Sequence, residues 1–169
     1  MELVPFAPEH AEHAADLIGR AMNASEGAYA RRSFAEYFAT RRMGITDGRE
    51  LFVLLDGARL IGITGLHHYN WGPPENVWLS WFAVEPTLHG RGLGTAMLEA
   101  TIRLAAARGF QKLFVETYSS PEFSRARRFY LARGFKEVGA IENYMSDGAE
   151  MIVYCRQIGC PTARLQSIH

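Results

Sequence analysis

The sequence predicts one α/β domain in which a mixed sheet carries helices on both faces. Apolar, strand-like runs alternate with amphipathic helical segments along the 169 residues. Two of these runs, residues 50–55 and 59–66, are separated by Asp56-Gly57, a pair typical of a β-hairpin turn. The later elements follow the order strand, helix, strand, which is typical of strands joined by a crossover helix.

The first half of the chain contributes two helices and three strands. Residues 3–6 predict a short strand, and residues 8–22 predict a helix because their apolar residues recur at helical spacing. A polar and aromatic stretch at residues 29–38 predicts a second helix. The hairpin strands come next, and a Trp-Gly-Pro-Pro cluster at residues 71–74 predicts a loop. The apolar side of the first helix consists of Ala11, Ala14, Leu17, Ile18 and Ala21.

The second half predicts two more helices and four more strands. The helices, residues 95–108 and 124–133, each end in the triplet Arg-Gly-Phe. Glycine takes the left-handed conformation that ends a helix, and the aromatic ring after it packs back on the last turn. The predicted strands are residues 77–84, 112–117, 136–139 and 150–156.

Composition indicates a globular protein and excludes several functional classes. The 18 Lys and Arg residues balance the 18 Asp and Glu residues, so net charge does not favour a nucleic-acid partner. No apolar run approaches the roughly 20 residues that cross a bilayer, and residues 1–10 do not resemble a signal peptide. Cys155 and Cys160 are too few for a disulfide framework or a zinc site, so no metal is expected. We expect a cytoplasmic protein with one domain over residues 1–158 and a frayed tail over residues 159–169.

A glycine-rich run at residues 89–96, His-Gly-Arg-Gly-Leu-Gly-Thr-Ala, follows an apolar strand and opens a helix. Glycines at alternate positions let a ligand approach the backbone. The first helical turn adds unpaired N–H groups and the positive end of the helix dipole. We therefore expect a phosphate-bearing ligand at this loop.

Two nucleotide-binding interpretations compete for the run. A P-loop requires Lys followed by Ser or Thr after its last glycine, and Gly94-Thr95 lacks the Lys. A dinucleotide-binding fingerprint requires G-x-G-x-x-G directly after the first strand, but Gly94 comes one residue early. Glu116, at the end of the next strand, imitates the ribose-binding acid of that fold, so the dinucleotide alternative stays open.

Two ordered motifs narrow the choice of ligand. The first is residues 81–86, Trp-Phe-Ala-Val-Glu-Pro, followed by the glycine run. The second is residues 126–130, Ala-Arg-Arg-Phe-Tyr, followed by Gly-Phe at residues 134–135. Together they resemble the motifs of the GNAT superfamily of acetyl-CoA-dependent N-acetyltransferases. Two positions depart from the family pattern: His89 stands where Gln or Arg is usual, and Phe123 stands where many members carry Asn.

This resemblance implies a mostly antiparallel sheet of six to seven strands, splayed between the fourth and fifth strands. It also implies acetyl-CoA as co-substrate, with the diphosphate on the loop amides and the pantetheine arm along the main chain of Phe82 and Val84. Arg127 and Arg128 are further candidates for phosphate contacts, unless they are simply solvated. The implied cofactor-binding residues are Phe82, Ala83, Val84, His89, Gly90, Arg91, Gly92, Leu93, Gly94, Thr95 and Tyr130.

The implied reaction is direct attack of a primary amine on the acetyl thioester. Tyr130 is the candidate general acid that protonates the departing sulfur; its alternative is a core tyrosine on an apolar helix face. Glu116 is the candidate base or a structural carboxylate. His67 and His68 follow the third strand, near where the acceptor should enter, and histidine as a residue type titrates close to neutral pH, but two adjacent histidines at a strand end are more often ordinary loop residues. Cys155 falls in a predicted strand, and no covalent intermediate is indicated.

The acceptor is the least determined part of the reaction. The resemblance places its pocket against residues 26–48 and 141–148, and a small-molecule or peptide amine fits equally. A basic and aromatic lining suits an acidic or zwitterionic small molecule. A homodimer is also implied, and a non-catalytic acyl-CoA-binding module is the alternative function. The residues that suggest this lining are Tyr29, Arg31, Arg32, Phe34, Tyr37, Phe38, Arg41 and Arg42, and the second segment adds Asn143, Tyr144 and Asp147.

Overall fold

An eight-stranded mixed sheet forms the centre of the computed structural model, which describes residues 1–159. The predicted tail therefore lies outside the described residues, apart from Gly159. The strands are β1 (Glu2–Pro5), β2 (Arg49–Asp56), β3 (Arg59–His67), β4 (Asn76–Leu79), β5 (Ala83–Val84), β6 (Lys112–Tyr118), β7 (Lys136–Ile141) and β8 (Met151–Gln157). Their order in the sheet is β1-β2-β3-β4-β6-β8-β7, and β5 pairs with β3.

Four helices cover the sheet on both faces, as predicted. They are α1 (Ala11–Ala21), α2 (Ala24–Arg42), α3 (Leu93–Ala107) and α4 (Ser124–Leu131). One face buries α1 and α2 in a core that contains Leu17, Phe34 and Ile63. The other face buries residues of α3 and α4 such as Leu98 and Tyr130. None of the helices in residues 1–159 is long and apolar enough to span a membrane.

The second helix is much longer than the predicted residues 29–38. It begins after Asn23, whose side-chain oxygen accepts a hydrogen bond from the Glu26 N–H at 2.9 Å. Such a cap satisfies one of the free donors at the helix N-terminus. The extension matters for the site, because it places Glu26 in the first turn of α2.

The predicted strand at residues 77–84 is two strands, β4 and β5, which raises the strand count to eight. The break lies at Trp81, whose φ of 39° is a left-handed conformation that a regular strand does not accommodate. The Trp81 ring contacts α2. It lies 6.0 Å from the ring of Phe34, and its Nε1–H donates to Ser33 Oγ at 3.3 Å. These contacts fix the turned backbone in place.

The sheet opens where β4 ends. β4 runs parallel to β6 over three residue pairs, the last being Trp78 opposite Phe114. Beyond that point β6 continues along β8, whereas β5 pairs with β3. This opening is the implied splay between the fourth strand and its parallel neighbour. Since β4 and β6 are the one parallel pair within residues 1–159, the parallel sheet of a dinucleotide-binding fold is absent there and that alternative is wrong.

Both Arg-Gly-Phe triplets end their helices as predicted. Gly109 has a φ of 87° and Gly134 a φ of 79°, both in the left-handed region that favours glycine. The following aromatic N–H groups donate back into the last turn, Phe110 to the Ala105 carbonyl and Phe135 to the Tyr130 carbonyl, each at 3.2 Å.

Candidate active site

The glycine-rich run connects β5 to α3 and leaves its amides open. The His89 N–H donates to the Pro86 carbonyl at 3.1 Å, and the Ala96 N–H donates to the Gly92 carbonyl at 3.0 Å. Within the described chain, the N–H groups of residues 90–95 have no hydrogen-bond partner. Six consecutive donors at the positive end of a 15-residue helix are suited to an anion. The N–H of His89 is not one of these open donors, because it already donates to the Pro86 carbonyl.

Two of the three glycines of the run are required by backbone conformation. Gly90 and Gly92 have φ values of 81° and 77°, and a Cβ at either position meets nothing within 4 Å, so backbone conformation is the constraint. Gly94 lies against α4 instead, where a Cβ would be 3.4 Å from the Phe129 ring, an ordinary van der Waals contact.

Arg133 places a positive charge beside these amides. Its Nε–H donates to Thr95 Oγ1 at 3.0 Å, and its Nη1–H donates to the Phe129 carbonyl at 3.1 Å. The guanidinium carbon also lies 3.9 Å from the centroid of the Phe129 ring. A cation held at a helix N-terminus opposes the helix dipole unless an anion joins them. Sequence reasoning missed this residue, although its place just before Gly134 in the second motif was a usable signal.

The arginines selected from sequence take other positions. Arg127 Nη1 donates to the carbonyls of Tyr118 and Ser120, the latter at 3.0 Å, so Arg127 ties α4 to the end of β6 rather than facing the loop. Arg91 and Arg128 are exposed, and neither lines the cavity next to the glycine run.

A cavity of about 470 Å³, here called the cofactor cavity, extends from the glycine run to Phe82 and Tyr130. Every predicted cofactor-binding residue lines it except Arg91. The Glu85 N–H donates to the Ile61 carbonyl of β3, and alternation along a strand therefore turns the peptide groups of Val84 away from β3. His89 Nε2–H donates to the Val84 carbonyl at 2.8 Å, so this unusual histidine anchors the loop to the strand.

A second cavity, of about 680 Å³, lies at the sheet opening and is here called the acceptor cavity. The two cavities meet around Tyr130, which is 6% exposed and whose ring lies 6.3 Å from that of Phe82 and 5.5 Å from that of Phe135. Burial raises the pKa of Tyr130, so its phenol is protonated at neutral pH. The residues that line both cavities are Met22, Phe82, Phe123, Ala126 and Tyr130.

Glu116 lies on β6 and lines the acceptor cavity, which Tyr130 also lines. Its side chain reaches solvent through the mouth of the cavity, while the surrounding protein raises the pKa of Glu116 by desolvation. Tyr130 and Glu116, the two catalytic candidates selected from sequence, therefore line one cavity.

The other titratable candidates separate in the structure. His67 lines the acceptor cavity. Burial is the main cause that lowers the pKa of His67, and the Arg49 charge is the second, so the ring is neutral at pH 7. His68 is structural: its Nδ1–H donates to the Asn76 carbonyl at 3.0 Å, and its ring lies 5.3 Å from that of Phe110. Burial raises the pKa of Cys155, which keeps its thiol protonated and poorly nucleophilic.

The expected basic lining of the acceptor cavity is wrong. Of the eight residues selected from α2, only Tyr29 lines the cavity. Phe34 and Tyr37 are buried in the core, and Arg31 pairs with Glu12 and Asp16 on the surface. In the second selected segment, Tyr144 lies near the cavity, since its ring stacks on that of Tyr118 at 6.1 Å.

Comparison with known proteins agrees with this geometry. The sequence profile of the family described as "Acetyltransferase (GNAT) family" matches residues 14–135, well over half of the chain. The chain belongs to the GNAT family of acetyltransferases. No curated protein matches this GNAT chain significantly.

Solved structures share the fold over nearly the whole GNAT chain. A protein from Desulfovibrio desulfuricans assigned to the GNAT family has a TM-score of 0.81 at 19% identity, covering 93% of this chain and 98% of that one. An aminoglycoside 6'-N-acetyltransferase complexed with coenzyme A has a TM-score of 0.72 at 17% identity, covering 94% and 97%. A GNAT family acetyltransferase from Elizabethkingia anophelis with acetyl-CoA bound has a TM-score of 0.67 at 18% identity, covering 92% and 97%. At these identities the likeness establishes the fold.

Proposed function

We propose that this protein is an acetyl-CoA-dependent N-acetyltransferase that transfers the acetyl group to a primary amine by direct attack. The observation that carries the proposal is the position of Tyr130. Its phenol lies where the cavity behind six open amides meets a second cavity that contains a carboxylate. A binding module without catalysis has no need of an acid at this junction.

The residues of the cofactor cavity fit acetyl-CoA. The N–H groups of residues 90–95 and the Arg133 guanidinium suit the diphosphate. The Val84 N–H, which faces away from β3, and the main chain of Phe82 suit the amides of the pantetheine arm, which then lies along the strand edge as an extra strand does. Coenzyme A and acetyl-CoA in the two related structures support the same choice of ligand.

Two side chains then handle the protons of the transfer. Acetyl-CoA supplies an acetyl thioester; the amine nitrogen forms a bond to its carbonyl carbon, and the carbon–sulfur bond breaks. Tyr130 donates its proton to the departing sulfur. Glu116 accepts the proton that the amine nitrogen loses, directly or through water, and its raised pKa makes it a better acceptor.

A screen for released thiol tests this function. Protein is mixed with acetyl-CoA and a panel of amines that includes alkylamines, amino acids, diamines and peptides, and free coenzyme A is measured. We expect amine-dependent release together with acetylated product. Acetyl-CoA binding by calorimetry without release for any amine contradicts the transferase and favours the acyl-CoA-binding module.

Two other expectations stay predictions. The cytoplasmic location rests on the composition of the chain, and the homodimer rests on family resemblance. Light scattering tests the second, since a monomeric mass contradicts it. β7, at one edge of the sheet, exposes all six of its residues.

A further inference from the structure

The acceptor cavity is lined by acids and aromatic rings rather than by cations. Among its described lining residues, Arg49 is the one Lys or Arg, and Asp47 already pairs with it, with Nε and Oδ2 2.7 Å apart. His67 is neutral. Within residues 1–159, three carboxylates of the lining have no cation as partner, namely Glu26, Glu36 and Glu116.

Glu26 is the most unusual of these acids. It is 8% exposed, yet within the described chain its carboxylate has no hydrogen bond and no ion pair. Its carboxylate oxygens are not among the fully buried polar atoms, so the carboxylate opens into the acceptor cavity, where a cation can pair with it. Burial and then the Glu116 charge raise the pKa of Glu26, and both acids line this cavity.

The walls of the acceptor cavity suit a positive charge. Ring faces attract cations, and aromatic rings line the same cavity as the two acids. Burial and then the Glu116 charge raise the pKa of Tyr69 and of Tyr118. The aromatic lining residues include Tyr29, Tyr69, Trp71, Trp78 and Tyr118.

We propose that the acceptor is a molecule with at least two cationic amino groups, and that Glu26 binds the ammonium that is not acetylated while Glu116 faces the reacting amine. This inference rests on the proposed function. It reverses the sequence-based expectation of an acidic or zwitterionic acceptor. It also explains why Glu26 is buried without a partner: its partner is the substrate. At about 680 Å³ the cavity is large enough for a diamine or an aminosugar.

Three acceptors that share one carbon chain test the inference. Diaminopentane, with an amino group at each end, carries a second ammonium. Pentylamine carries no second charge, and aminopentanoate carries a carboxylate instead. Each is assayed by thiol release with the wild type, Glu26→Gln and Glu36→Gln. Glu36 is the matched control, because it lies on the same helix and lines the same cavity but is exposed.

For the wild type we expect kcat/KM for diaminopentane to exceed that for pentylamine by about 10- to 100-fold, the value of a hydrogen-bonded charge. Glu26→Gln should remove this preference, so that the variant uses diaminopentane and pentylamine with similar kcat/KM. Glu36→Gln should keep the preference. Equal or better use of pentylamine or aminopentanoate by the wild type, or an unchanged preference in Glu26→Gln, overturns the inference.

Calorimetry with coenzyme A present separates this inference from the proposed function. If no amine is acetylated but diaminopentane binds in a Glu26-dependent manner, the transferase fails and the dication site stands. If diaminopentane neither reacts nor binds, the dication site is wrong, and turnover of any other amine still supports the transferase.

Discussion

The two cavities that meet at Tyr130 are built from different parts of the chain. The cofactor cavity offers main-chain donors, namely the open amides of residues 90–95 and the N–H of Val84, which faces away from β3. The acceptor cavity presents side chains from α2, the loop after β3, and β6. Backbone groups bind a constant ligand whatever side chains surround them, whereas side chains determine which acceptor fits. The family fold therefore fixes acetyl-CoA, and the choice of acceptor rests on residues such as Glu26.

Removal of the acid at the junction of the cavities should have the largest effect. In Tyr130→Phe we expect kcat for thiol release to fall by about 10²- to 10⁴-fold, the contribution of a positioned general acid. Acetyl-CoA affinity should change little, because the hydroxyl acts on the departing sulfur. Tyr154→Phe is the control, since Tyr154 is buried in the same core and lines neither cavity. Equal rates for Tyr130→Phe and the wild type contradict the assigned role.

Glu116 should steepen the acidic limb of the pH profile. A base accepts a proton only when ionised, so kcat/KM should fall as pH decreases through the raised pKa of Glu116, in addition to the fall caused by protonation of the acceptor amine. Glu116→Gln should lower kcat/KM by about 10²-fold at neutral pH and leave only the shallower limb of the amine. The Glu36→Gln variant removes an exposed charge from the same cavity and should keep the steeper limb. An acidic limb of equal steepness in the wild type and in Glu116→Gln assigns the base to another group.

A side chain on the glycine run tests the backbone-built half. Gly92→Val strains a backbone with a φ of 77° and fills the space in front of the open amides, so acetyl-CoA binding should weaken by about 100-fold or more. Gly109→Val is the matched control. It has a φ of 87°, equally open space, and lies at the opposite end of α3. If Gly109→Val weakens coenzyme A binding as much as Gly92→Val does, backbone strain alone accounts for the loss of affinity and the claim about the loop amides is contradicted.

Loss of the cation beside the loop should have a smaller effect. In Arg133→Ala we expect the Kd for coenzyme A to rise by about 10-fold, as for one charge-assisted hydrogen bond, with a weaker dependence of Kd on salt. Arg128→Ala on the same helix removes an exposed arginine outside the cavity and should not change Kd. A Kd in Arg133→Ala equal to that of the wild type limits Arg133 to its packing on Phe129.

The features that were predicted from sequence depend on residues close together in the chain. The hairpin at Asp56-Gly57, the two helix ends and the glycine run each follow from a few adjacent residues. Two features escaped prediction because they depend on distant partners. Trp81 breaks its strand where it contacts α2, and Glu26 acquires its surroundings only when α2 folds across the sheet opening toward β6. Local propensity carries no record of such contacts.

The central claim, that the open amides of residues 90–95 bind the diphosphate of coenzyme A, is tested most directly by amide NMR. The protein is titrated with coenzyme A and, in a separate experiment, with pantetheine, which lacks the diphosphate. The N–H resonances of Gly90, Gly92 and Gly94 are followed, with Gly109 as reference. We predict large shifts of the three loop resonances with coenzyme A, none with pantetheine, and a constant Gly109 resonance in both titrations. Loop resonances that stay fixed with coenzyme A, or that move equally with pantetheine, contradict the claim.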